Sequence, residues 1–310
     1  MKGSGIRNII ILLFVLFSLK GFAQQDPMFT QYMNNPGLIN PAYAGSKGLT
    51  NINGIFRKQW VGQEWSPMTT SLSVNAPWEK YDIGLGVTLI DDQIGPSHQM
   101  GLYVDYAKYF NLKKGRNISL GLKAGLNFFD INLMNLVMYE YDPYIAADPR
   151  NQILLPNFGL GAFYFTNDFY VGISVPKLLR NNIRNSENVI LGKEERHVFL
   201  TTGYVFTIDD PFWKLKASMM TRLVNGSPAS LELSATAILY DRVWFGLTYR
   251  FGDAIAAHAR VQINENLQIG YSYDLNNSRL RYYNTGSHEI YISYDFVVKG
   301  QKILSPRYFL

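Results

Sequence analysis

Residues 118–128 read Ile-Ser-Leu-Gly-Leu-Lys-Ala-Gly-Leu-Asn-Phe, and taken in steps of two they separate into two faces. Ile118, Leu120, Leu122, Ala124, Leu126 and Phe128 form one, while Ser119, Gly121, Lys123, Gly125 and Asn127 form the other. Successive side chains of a strand point to opposite faces, so one face of this strand seeks hydrocarbon and the other accepts water. The same period recurs at 68–76, 81–90, 99–109, 158–165, 169–175 and 198–206, then at 215–223, 231–239, 243–251, 255–263, 267–274 and 288–296. A less regular first strand lies near 52–59. About fourteen such strands are what a mid-sized outer-membrane β-barrel uses.

The connections give a second argument. Residues 76–81, 111–116, 167–168, 207–212, 240–242 and 264–266 are compact, whereas the alternate set contains the long segments 131–157, 176–197 and 276–286. An outer-membrane barrel has short turns on its periplasmic side and longer loops outside, so lengths that sort by parity favour a barrel over a secreted β-sandwich.

Lys2 and Arg7 precede the apolar run 9–17, and Gly21-Phe22-Ala23 precedes Gln24, the pattern of a secretory signal peptide cut after Ala23. The run is roughly half the length that crosses a bilayer as a helix, and no later segment supplies the rest. Removing residues 1–23 lowers the net charge from +5 to +2, so the basic balance says little about nucleic acid. With no cysteine in 310 residues, the first mature residue cannot carry a lipid anchor and no disulfide braces the fold. A mean hydropathy of −0.07 fits a barrel, whose wet and greasy faces average out. Tyr81, Tyr106, Tyr109, Tyr164, Trp244, Tyr249, Tyr271 and Tyr294 lie toward strand ends, where interfacial aromatic girdles belong.

The organisation expected is therefore a signal peptide at 1–23, an amino-terminal segment at 24–50, a barrel at 51–296 and a tail at 297–310. The segment is rich in Asn, Pro and Gly, with no strand period, yet Phe29, Tyr32, Met33, Leu38, Ile39 and Tyr43 are too apolar for a disordered leader. It either enters the lumen from the periplasmic end or folds across the mouth. Gly84, Gly86, Gly121, Gly125, Gly159, Gly161 and Gly172 fall on inward faces, leaving room for something inside.

The chain carries Asp26-Pro27 with Phe29-Thr30-Gln31-Tyr32, Asn40-Pro41-Ala42 with Ala44-Gly45, Arg57-Lys58-Gln59-Trp60 on the first strand, and Ser305-Pro306-Arg307-Tyr308-Phe309 near the end. The resemblance these motifs carry is to the PorP/SprF family of outer-membrane proteins, associated with the type IX secretion system of Bacteroidetes. It implies a non-enzymatic role, without cofactor, in export and surface retention of large adhesins used in gliding. Such clients carry a conserved carboxy-terminal domain. Other members are linked instead to the periplasmic ring and lipoproteins of the machine, and the sequence does not choose between the branches.

Charges at Asp82, Asp105, Lys123, Lys216, Arg222, Glu232, Arg250, His258, Arg260, Asp274, Glu289 and Asp295 should face the lumen, because a basic side chain facing lipid at the midplane costs about 2–4 kcal/mol. They pair across the lumen, or Arg222, Arg250 and Arg260 form a basic strip that grips the amino-terminal segment or a client carboxylate. His98, His197, His258 and His288 fall in separate stretches without metal-ligand spacing, and no nucleophile elbow is present. Asp91-Asp92 and the pair Asp142 and Asp148 read as turn acids rather than a calcium loop. In the long connection 131–157, Met138, Tyr139, Tyr141 and Tyr144 are candidate client contacts, although a loop folded into the mouth would bury the same residues. The rival function is a pore or transporter for a small or hydrophobic solute.

Overall fold

A computed structural model describes residues 27–132, 150–184, 190–210 and 212–296. The strands are β1 (Thr50–Lys58), β2 (Met68–Trp78), β3 (Ile83–Ile94), β4 (Ser97–Asn111), β5 (Asn117–Asn132), β6 (Arg150–Phe165), β7 (Phe169–Val175), β8 (Asn182–Arg184), β9 (Ile190–Lys193), β10 (His197–Asp209), β11 (Trp213–Val224), β12 (Ser230–Leu239), β13 (Val243–Arg250), β14 (Ala254–Gln262), β15 (Leu267–Asn276) and β16 (Ser287–Phe296). All but β8 and β9 join in one closed antiparallel barrel of fourteen strands, sealed where β1 pairs with β16. The β1–β16 pairing leaves neither end of the sheet as an open edge, which lipid does not tolerate.

The two-residue period sets which side is wet. On β5, Leu120 and Leu122 are 51% and 55% exposed on the outer surface, while Ser119 and Lys123 on either side of them are buried within the barrel. The same alternation continues around the wall with Val87, Leu102, Leu160, Phe245, Leu247, Ile269 and Ile292 outward. Both termini of the barrel lie at the end with the short turns, which is the periplasmic end of such a fold. We call that the inner end and the opposite one the outer end.

Several expectations need correction. Asp82 does not enter the lumen: it sits exposed in the turn before β3 with a left-handed φ of 50° and accepts from Asn111. Tyr109 and Trp244 are not girdle residues but buried inward, at 5% and 2% exposure, because they share parity with Asp105 and Thr248. The remaining predicted inward charges are all buried within the barrel.

The connection expected at 131–157 is shorter, since β5 runs to Asn132 and β6 begins at Arg150. Alternation of residue type fails there because the inward face is apolar too, while Leu154 stays 60% exposed on the outer face. Leu155 packs inside against Phe129 and Ile183, the latter from the β8–β9 hairpin that follows β7. β7 pairs with β6 only from Val175 opposite Leu160 to Tyr170 opposite Phe165, so the outer part of β6 lacks a strand partner on that side. Pro156, which has no N–H to donate, lies in that stretch. The chain after β7 takes over: Leu178 N–H donates to the Phe158 carbonyl at 2.7 Å, and Asn157 bonds both the N–H and the carbonyl of Leu179. Glu194, buried, accepts from Asn127 and Asn157. The described part of segment 176–197 is thus folded into the outer mouth.

Candidate functional site

Residues 27–49 run through the barrel. Three short turns of 3₁₀ helix, Tyr32–Asn34, Pro36–Leu38 and Pro41–Tyr43, shape this plug; prolines begin the second and third, and the Asn40 side chain caps the third by accepting from Ala42 N–H at 3.0 Å. A segment without a strand partner must satisfy its backbone elsewhere, and here the barrel wall serves.

Near the outer end the N–H groups of Thr30 and Gln31 each donate to the Glu289 carboxylate at 2.8 Å, and the Thr30 hydroxyl donates to Asp274 at 2.6 Å. Arg57 of β1 closes the network, donating to Thr30 Oγ1 at 2.8 Å, Asp274 at 2.8 Å and Glu289 at 3.0 Å. Midway, Ser174 donates to the Ile39 carbonyl at 2.7 Å and Asn35 donates to Ser73 at 2.8 Å. Lower down, Ser119 donates to the Ala42 carbonyl at 2.6 Å, the Tyr109 hydroxyl donates to the Ala44 carbonyl, and Lys47 pairs with Asp295 at 2.7 Å.

Packing matches the polar contacts. Phe29, Tyr32, Met33 and Leu38 bury against Ile55 and Tyr291, while Tyr43 meets Phe163 edge-on at 5.8 Å among Ala107, Tyr109 and Phe165. The wall approaches so closely that a Cβ on Gly84 would fall 1.8 Å from the Ala44 carbonyl oxygen, and one on Gly121 would fall 2.1 Å from Ala42 N. At Gly161 it would lie 2.1 Å from Asn40 Oδ1. Gly172 also faces Asn40, whereas Gly86 faces Asn75, Gly125 faces Tyr103 and Gly159 faces Pro176.

Nearly all of the motif residues expected from the sequence converge on this plug. Phe29, Gln31, Tyr32, Asn40, Pro41, Ala42 and Gly45 are buried in it, Arg57 holds its outer part, and Pro27 lies at its outer end. Asp26 lies outside the described residues. Gln59 and Trp60 rim a vestibule of about 330 Å³ at the outer end, floored by Pro27 and Met28.

Arg222, Arg250 and Arg260 do not form one strip. Arg222 and Arg250 line the outer vestibule, and Arg250 donates to Glu232 at 2.7 Å and to Asp253 at 3.1 Å. Arg260 lies toward the inner end, opposite Trp244 across β13 and β14, with its guanidinium 4.2 Å from the indole ring centre. The outer part of the plug is held by Asp274 and Glu289 with Arg57 instead. Arg57 was read from the sequence as a motif residue; its carboxylate partners were missed because they lie 217 and 232 positions away.

The family model for Type IX secretion system membrane protein PorP/SprF matches residues 21–294. The chain belongs to the PorP/SprF family. It is an outer-membrane component of type IX secretion, and its plug lies inside the matched span. Among solved structures, the CymD monoaromatic hydrocarbon channel is similar at 11% identity and a TM-score of 0.52, covering 92% of this chain and 97% of that one. The P. putida toluene transporter TodX is similar at 9% identity and a TM-score of 0.50, covering 85% and 94%. At such identities the likeness extends to the barrel fold alone. No curated protein matches the chain.

Among the described residues of this PorP/SprF barrel, no group of three or more His, Asp or Glu side chains could hold a metal ion. His98 meets Asp91 at 2.5 Å across the β3–β4 hairpin, a partner that its position in the sequence did not reveal. Asp92 accepts from Thr69 at 2.5 Å, and His258 lies between Thr236 and Thr248. His197 stacks on Phe199, and His288 contacts Tyr271. Met138, Tyr139, Tyr141, Tyr144, Asp142 and Asp148 lie outside the described residues, as do 1–26 and the closing motif 305–309.

Proposed function

We propose that this type IX component is a plugged scaffold that supports export and cell-surface anchoring of a secreted adhesin, recognised through the client's carboxy-terminal domain, with no bond made or broken. The observation that carries the reading is the occupied lumen: residues 30–47 are bonded to wall residues from the outer to the inner end, and many of them are nearly solvent-free. A porin keeps a water-filled lumen, whereas this lumen is filled by the chain's own amino-terminal segment. In this reading the connection between β5 and β6, with Met138, Tyr139, Tyr141 and Tyr144, meets the client outside. The inner-end turns face the periplasmic ring and lipoproteins of the machine. The signal peptide is removed after Ala23.

The second reading is a transporter for a small or hydrophobic solute. It draws on the barrel likeness to a hydrocarbon channel and a toluene transporter, and on the vestibule that opens at the outer end. Tagging the native protein, isolating it from outer membranes and identifying its companions by mass spectrometry separates the two. Co-purification of a large adhesin bearing a secretion-targeting carboxy-terminal domain, with loss of that adhesin from the surface on gene deletion, is the expected result. Normal adhesin display in the deletion strain contradicts the scaffold reading.

A further inference from the structure

The plug has a direction. Pro27 and Met28 lie among Gln59, Trp60, Ile94, Asp253 and Asn276, all beside outer-end connections. Lys47 pairs with Asp295, which lies opposite Asn51 where β1 starts at the inner end. The chain therefore descends from the outer mouth to the periplasmic end and turns back up as β1. We infer that the mature amino terminus is on the cell surface and that residues 24–26 occupy the outer vestibule.

Reach decides this. If the chain is cut after Ala23, three residues precede Pro27, and they span about 10 Å at full extension. The hydrocarbon core alone is about 30 Å thick. No arrangement of residues 24–26 returns the terminus to the periplasm while Thr30 stays bonded to Glu289 and Asp274. The vestibule also suits this occupant. Its lining carries Arg222 and Arg250, which suit a carboxylate such as that of Asp26, and Asp92 and Asp253, which suit amide donors such as those of Gln24 and Gln25.

The inference rests on the signal-peptide reading and on the orientation of the barrel, but not on the adhesin. The absence of native cysteine allows a direct test. Single-cysteine variants Gln25→Cys, Ala229→Cys in the outer turn after β11 and Glu265→Cys in the inner turn before β15 are exposed to a membrane-impermeant maleimide on intact cells. Heat-dependent gel migration verifies that each barrel is folded, and the intact mass of the purified chain identifies its first residue. Gln25→Cys should label as strongly as Ala229→Cys without permeabilisation, while Glu265→Cys labels only afterwards. Labelling of Gln25→Cys only after permeabilisation, or only after unfolding, overturns the inference. Exchanged behaviour of the two controls overturns the orientation, and a chain that retains residues 1–23 overturns the reach argument.

Discussion

Arg57 Nη2 lies 2.8 Å from Asp274 Oδ2, on strands separated in the wall by β16, and both side chains are 1% exposed. Thr30 joins them from the plug, so one buried cluster ties β1, β15, β16 and the amino-terminal segment together. Removing one partner of a buried ion pair is far more damaging than replacing the whole pair, since the remaining charge is left without compensation. Arg57→Met should destabilise the barrel by about 3–5 kcal/mol, read as a lower urea midpoint. Thr30→Val in the same background should cost less than it does alone, because the two residues share one network. Equal costs in both backgrounds would contradict the shared cluster.

Wall glycines give a steric prediction. Gly84→Val and Gly121→Val place new atoms inside the van der Waals radii of Ala44 and Ala42 backbone, which has no flexible end to yield. We expect the barrel to fold while residues 27–49 become open to protease added to the purified protein in detergent. A plug as resistant as in the native chain would show that the contact is not as close as described.

The lipid face gives a third. Leu122 points outward from the middle of β5, and its neighbour Lys123 points in, where it meets Asp105 at 3.4 Å. Leu122→Arg should cost about 2–4 kcal/mol in unfolding from lipid vesicles. A negligible cost would place this face away from hydrocarbon.

Parity along the chain makes the barrel legible in the sequence. The faces of 118–128 and the lengths of alternate connections carry strand number and orientation, because a strand in lipid obeys a simple alternation. Inward glycines also announced an occupant: Gly84, Gly121 and Gly161 do face the plug. Parity likewise held the true placement of Tyr109 and Trp244, which residue type alone misassigned to the girdle. What local pattern could not hold was pairing over long separations. Arg57 with Asp274 and Glu289, and Glu194 with Asn127 and Asn157, depend on how fourteen strands close and how the chain after β7 returns. The course of β6 was hidden for a related reason, since Ile183 covers the inner side of Leu155 and erases the alternation there.

Single-channel recording in a planar bilayer tests the sealed-scaffold claim most directly. The intact mature protein should be nearly silent, and a chain lacking residues 28–46, verified as a folded barrel, should conduct steadily. A large, steady conductance from the intact protein would contradict the plugged scaffold and favour a pore.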